Sequence, residues 1–169
     1  MVSAPVYDTA QMHSGTYALR MASAVAGAAR YDLAATKTTG TLWGRGYWRF
    51  DALPTSAVQI ILMESDTGTD GLEVRWLEPN DVFQLRNVIS GTVVNSTITP
   101  TLNAWYRFEW KVVIADTGGS MELKIFLGDD TTALETVQIT GEDTLPGIYR
   151  RGGGSTQPGR RVQRGTSLN

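Results

Sequence analysis

Hydrophobic and polar residues alternate along most of the chain from Leu42 onward, with the two-residue period of a strand that buries one face. In the clearest segment, 106–114, one face would carry the apolar row Tyr106, Phe108, Trp110, Val112 and Ile114, and the other face Arg107, Glu109 and Lys111. Segments 121–127, 72–76 and 83–85 repeat the pattern. Clusters of Gly, Asp, Asn and Pro separate such segments at intervals of about 10 residues, which predicts antiparallel strands joined by hairpins.

Three segments depart from simple alternation. Residues 58–63 are apolar at nearly every position and predict a central strand covered from two sides. Segment 17–35 is rich in Ala and has helical propensity, but its alternating residues and Gly27 favour two strands with a turn near 24–27. In segment 42–50, aromatic residues surround Gly44 and Gly46, which predicts a bulge or a close backbone approach.

The pattern ends at Pro146, and residues 152–169 contain five Gly and almost no aliphatic side chains. The sequence therefore predicts a folded body over 1–146 and a flexible tail over 147–169. The net charge of −2 combines two unlike parts. Residues 1–149 hold 10 basic and 17 acidic residues, a net of −7, whereas residues 150–169 hold five Arg and no acid.

Composition excludes several kinds of chemistry. The 169 residues include no Cys and one His, so disulfides, a thiolate nucleophile and a two-His metal site are impossible. No apolar run is long enough to cross a bilayer, and residues 1–20 lack the pattern of a secretion signal. We therefore expect one globular domain with neither a membrane anchor nor an export signal.

The order of these elements resembles the concanavalin A-like lectin and glucanase superfamily, which includes laminin-G-like domains. Four segments carry the resemblance: 13–20, 44–50 with Leu53-Pro54, 105–110 and 121–125. The chain is similar, over about residues 5–145, to single-domain versions in actinobacterial secreted proteins and in phage virions. The resemblance implies a two-sheet antiparallel jelly roll. Family members usually have a further first strand and an Asp- and Val-rich closing strand, so we expect another chain or the tail to complete the sheet here.

Enzymes of this superfamily that cleave glycans carry Glu, then Asp two residues on, then Glu three further, on one strand. The nearest match is Glu64-Ser65-Asp66, but Thr69 stands at the third position and the segment runs into a turn, so we expect no catalysis. His13 lies away from any nucleophile motif and is interpreted as a loop residue bonded to backbone. The acidic turn 66–70 could offer oxygens to calcium, but Leu77 stands where a calcium loop needs a bidentate Glu. No metal or other cofactor is therefore predicted, and calcium at this turn is the alternative.

Aromatic residues give a clearer indication of a ligand. Sugar sites depend on flat rings that stack on pyranose faces, with a few polar groups that fix orientation. The candidate glycan-binding residues are Trp43, Tyr47, Trp76 and Trp105. The alternative is that several of these rings fill the sandwich core.

The basic tail is a candidate for docking a partner, through Arg150, Arg151, Arg160, Arg161 and Arg164. Nucleic acid is not the expected partner, because no aromatic residue follows Tyr149 to stack on bases. An acidic protein surface, such as the body of another copy, suits these charges better.

Together these features predict a non-enzymatic module for binding or assembly. The resemblance is to domains that work outside cells, and the expected lack of an export signal then favours a phage virion, whose proteins are released by lysis. The module would serve as a capsid decoration or a tail appendage, contacting other virion subunits and a cell-surface glycan. The alternatives are a glycan-cleaving enzyme of the same fold, a secreted carbohydrate-binding module, and a decoration protein without a ligand.

Overall fold

The computed structural model describes residues 6–16, 18–20, 39–64, 70–78 and 80–145, and these residues contain strands but no helix. In chain order the strands are β1 (Val6–Asp8), β2 (Ala18–Arg20), β3 (Gly40–Arg49), β4 (Val58–Glu64), β5 (Asp70–Leu77), β6 (Val82–Asn87), β7 (Val93–Asn95), β8 (Trp105–Ile114), β9 (Gly119–Leu127) and β10 (Glu135–Glu142). The predicted all-β class is confirmed.

Two four-stranded antiparallel sheets make up the body. Sheet I has the order β10-β9-β8-β3, and sheet II has the order β4-β5-β6-β7. Strands β1 and β2 form a separate antiparallel hairpin, in which Tyr7 pairs with Leu19. The predicted two-sheet antiparallel sandwich is therefore confirmed, and its strand order is compatible with a jelly roll.

The core lies between the sheets because each sheet turns one apolar row toward the other. Sheet I contributes Tyr106, Phe108, Val112, Ile114, Met121, Leu123, Ile125, Val137 and Ile139. Sheet II contributes Ile61, Leu72, Val74, Trp76, Phe83 and Leu85. The Phe83 ring packs edge-on to Phe108 across the sheets at 4.8 Å, and edge-on to Trp76 within sheet II at 5.8 Å. Each such pair adds about 0.5–1.5 kcal/mol beyond the burial of its area.

Glycines in β3 permit the close approach predicted for this strand. A Cβ at Gly44 would lie 2.1 Å from Cζ2 of Trp110, and one at Gly46 would lie 2.3 Å from Cη2 of Trp48. The two indole rings therefore occupy the space that a Cβ atom would need at Gly44 and Gly46. Because Gly44 and Gly46 pair with core-facing residues of β8, the residues that alternate with them, Trp43, Arg45 and Tyr47, point outward.

Strand β4 is placed differently from the prediction. Instead of lying at the centre of a sheet, it ends the order of sheet II, and β5 is its only partner among the described residues. Its register shifts between Gln59 and Ile61 and again between Leu62 and Glu64, irregularities that are typical of edge strands. Ile61 is buried, while the other apolar side chains of the strand are half-buried.

Two predictions for the ends of the chain lie outside the described residues. Strand β2 falls within the first of the two strands predicted over 17–35, but the turn near 24–27 and the second strand lie in the undescribed segment 21–38. The predicted flexible tail, 147–169, also lies outside the described residues.

Candidate functional site

The outer face of sheet I carries the candidate site. In β3 and β8 the cross-strand pairs Trp43 with Lys111 and Tyr47 with Arg107 alternate with core-facing pairs, so both pairs point away from the core. Strand β9 continues the face through the pairing of Glu109 with Lys124. This face is rich in aromatic and charged side chains: Trp43, Arg45, Tyr47, Arg49, Trp105, Arg107, Glu109, Lys111, Glu122, Lys124 and Phe126.

A shallow depression surrounds Trp43 on this face. It has a volume of about 600 Å³, and its lining residues are Trp43, Gly44, Arg45, Glu109, Trp110, Lys111, Glu122 and Lys124. The Trp43 side chain is 72% exposed, although indole rings are highly buried on average. A flat apolar ring is thus held open to solvent by a regular strand.

Both carboxylates in the depression are compensated by neighbours. Arg45 Nη2 lies 2.7 Å from Glu109 Oε1, and Arg107 Nε lies 3.1 Å from the same oxygen. Lys124 Nζ lies 3.5 Å from Glu122 Oε1, and the side chain of Gln138 donates a hydrogen bond to the other oxygen of that carboxylate. These contacts orient the polar groups around Trp43.

A second cluster lies on the same face, around His13. The His13 ring stacks on Tyr47 at 3.7 Å, with 20° between the planes, and meets Trp105 edge-on at 5.5 Å. His13 Nε2 lies 3.4 Å from Asp129 Oδ1, which also accepts a hydrogen bond of 2.9 Å from the Tyr47 hydroxyl. His13 is therefore held by rings and a carboxylate, rather than by the backbone as the sequence predicted.

Arg107 connects the two clusters. Its guanidinium lies 4.0 Å from the centroid of the Phe126 ring, and Nη2 donates a hydrogen bond of 2.8 Å to the backbone oxygen of Asp130. The side chain is only 11% exposed and also meets Glu109 of the first cluster. Arg107 is therefore held from three sides, by Phe126, Asp130 and Glu109.

The four aromatic residues predicted to bind glycan divide between three settings. Trp43 is open to solvent, whereas Tyr47 and Trp105 lie together on the same face with the His13 ring against them. Trp76 is fully buried in the core of sheet II and packs against Phe50 and Phe83, so its inclusion in a sugar site was wrong. The tail arginines predicted to dock a partner, Arg150, Arg151, Arg160, Arg161 and Arg164, lie outside the described residues.

Sequence reasoning missed His13 and Asp129 as parts of this face. Asp129 stands in a turn cluster that was interpreted only as a hairpin connection. Nothing in the local pattern of either residue indicates contact with Tyr47, because these residues are far apart in the chain and meet only after the sheet forms. The outward row of Arg107, Glu109 and Lys111, in contrast, was visible in the alternation of β8.

The structure describes only the first residue of the acidic segment Glu64-Ser65-Asp66. Glu64 ends β4 with an exposed side chain, while residues 65–69 lie outside the described part of the chain. Among the described residues, no group of three or more His, Asp or Glu side chains is arranged to hold a metal ion. The same residues include no helix with the length and hydrophobicity needed to span a bilayer.

No protein-family model, curated protein or solved structure matches this chain.

Proposed function

We propose that this protein is a non-enzymatic binding module that recognises a glycan on the outer face of sheet I. The observation that carries the proposal is the 72% exposed ring of Trp43 in a depression lined by charged side chains. Such a ring can stack on the apolar face of a pyranose, and the charged groups around it can accept from and donate to hydroxyls. The resemblance to the concanavalin A-like superfamily, many of whose members bind sugars, supports the same proposal.

Rigidity of the platform favours binding. Trp43 stands on β3, which pairs with β8 over ten residues without a break in register. Arg45 and Lys124 are already paired with glutamates before any ligand arrives, so these two side chains have little freedom left to lose. Tyr47 and Trp105 contribute less to stacking, because His13 covers one ring face of Tyr47.

Retention on host envelope polysaccharide tests the proposal. Trp43→Ala should weaken retention about tenfold or more, as truncation of a central aromatic contact usually does. Trp105→Ala should have a smaller effect, because its ring already packs against His13. Leu134→Ala removes an apolar side chain that is 51% exposed and outside the depression, and serves as the matched control. Equal retention of the wild type and Trp43→Ala would rule out this site.

The absence of catalysis is part of the proposal and has its own test. The wild-type chain should release no reducing ends from polysaccharides that it retains. Release that Glu64→Gln abolishes would favour the alternative, a glycan-cleaving enzyme that uses the acidic segment after β4.

We further propose that the module is displayed on a phage virion, as a capsid decoration or a tail appendage. Support comes from the resemblance to single-domain jelly rolls of virions. Mass spectrometry of gradient-purified particles, followed by labelling with gold-conjugated antibody, should find the chain at a fixed position on the particle. Recovery of the chain solely as a free monomer in cytosol would refute this placement.

A further inference from the structure

Lys111 differs from the other cations of the depression around Trp43. Arg45 and Lys124 each lie against a glutamate, at 2.7 Å and 3.5 Å. Within the residues that the structure describes, the half-buried Lys111 side chain forms neither an ion pair nor a hydrogen bond. The depression is therefore lined by an ammonium group whose hydrogen-bonding capacity is unused by the described part of the chain.

Lys111 is the cross-strand neighbour of the exposed Trp43. Trp43 and Lys111 are direct cross-strand partners on the outer face, which places their Cβ atoms about 4.5–5.5 Å apart. Trp43 has no ring contact among the described residues. A sugar ring stacked on Trp43 would hold its substituents within reach of the flexible Lys111 stem.

The local charge also distinguishes this patch from the rest of the body. Three cations and two carboxylates line the depression, which gives a net of +1: Arg45, Lys111 and Lys124 against Glu109 and Glu122. Residues 1–149 as a whole carry −7. An anionic ligand would be attracted to this patch and repelled by most of the remaining surface.

We infer that the depression around Trp43 binds an acidic saccharide. A sugar ring stacks on Trp43, and its carboxylate or phosphate group accepts a hydrogen bond from Lys111. The inference depends on the proposed glycan-binding function and names the class of glycan, one bearing uronate or phosphate groups.

The test is a binding titration of the full chain with matched polymers. Polygalacturonate and its methyl ester share one backbone and differ in charge, while poly(glycerol phosphate) and a phosphorylated mannan supply the phosphate arms without and with sugar rings. Lys111→Met keeps the aliphatic stem and removes the charge. Arg20→Gln removes one charge from the N-terminal hairpin, where the side chain is 70% exposed, and is the control for net charge.

Lys111→Met should bind the acidic polymer about tenfold more weakly and the methyl ester unchanged, whereas Trp43→Ala should weaken both. Arg20→Gln should match the wild type. Affinity for the acidic polymer should fall with added salt, because the contact is partly exposed. Preference for the phosphorylated mannan would assign the anion as phosphate and still support the inference.

Two results would overturn it. If Lys111→Met weakens the binding of polygalacturonate and of its methyl ester equally, the glycan-binding function still stands but the preference for an acidic saccharide is refuted. Polyglutamate and poly(glycerol phosphate) are polyanions without sugar rings. If either binds as tightly as the acidic saccharides, the patch recognises negative charge alone and needs no sugar ring. If no saccharide of any charge binds the folded wild type, the proposed function itself fails.

Discussion

The hydroxyl of Thr144 helps to join the end of the described body to sheet I. Its Oγ1 donates a hydrogen bond of 2.6 Å to the backbone oxygen of Val113 and accepts one of 3.0 Å from the amide of Ala115. The residue is 1% exposed. A Cβ at Gly119 would lie 2.1 Å from this oxygen, so the glycine is needed to make room for it. The segment after β10 thereby closes over the turn between β8 and β9.

Thr144→Val should destabilise the protein by about 1–3 kcal/mol, because the shape is kept while an amide and a carbonyl lose their buried partner. Thr144→Ser keeps the hydroxyl and should lose only about 0.8 kcal/mol with the missing methyl group. Urea unfolding of both variants measures the difference. A Thr144→Val protein as stable as the wild type would show that the hydroxyl contributes nothing.

Residue patterns predicted which side chains share a face better than they predicted which aromatic rings are exposed. The alternation that places Leu72, Val74 and Trp76 in one row was correct, and this row is buried. Trp76 was nonetheless proposed as a sugar contact because it is aromatic, which says nothing about exposure. Trp43 lies outside every apolar row, and this position, rather than its ring, is the sequence signal for exposure.

At the level of elements, strands with a polar face were predicted well, and strands without one were not. The polar residues of β8 and β9 mark the solvent-facing side of these strands, so the orientation of both strands could be predicted from the sequence. Strand β4 has no such marker, and its apolar run predicts a central strand, although among the described strands it ends the order of sheet II. The order of strands in a sheet depends on contacts between distant segments, which local periodicity does not encode.

The hairpin of β1 and β2 is the element that most needs external support. An isolated two-stranded hairpin is only marginally stable in water. The loop between these strands places His13 on Tyr47 at 3.7 Å and beside Trp105 and Asp129. This contact anchors the hairpin to sheet I.

His13→Ala should therefore increase amide exchange in residues 6–8 and 18–20 by up to about tenfold, since ring stacking of this kind contributes about 0.5–1.5 kcal/mol. His13→Phe keeps a ring over Tyr47 and should retain most of the protection. Hydrogen exchange read by mass spectrometry reports both variants. Unchanged exchange in His13→Ala would mean that other contacts hold the hairpin.

At the scale of the whole molecule, negative charge lies in the first 149 residues and positive charge is concentrated in the C-terminal segment. Residues 1–149 carry −7, and the five arginines from Arg150 to Arg164 carry +5. Opposite charges on one chain favour association between copies when each tail meets the acidic body of a neighbour. The positive patch around Trp43 is a small exception on that body and would not attract the tail.

Deleting residues 147–169 should abolish self-association at low salt, because the truncated chain keeps only the acidic body. Sedimentation velocity at about 20 mM and about 300 mM NaCl separates charge pairing from apolar contact, since exposed pairs are screened at the higher salt. Replacing the five tail arginines with Gln at full length is the matched control, and it should reproduce the deletion if charge is the cause. Association that persists in the Gln variant would instead implicate tail length or another surface, and a wild type that is monomeric at low salt would exclude docking of the tail on copies of the same chain.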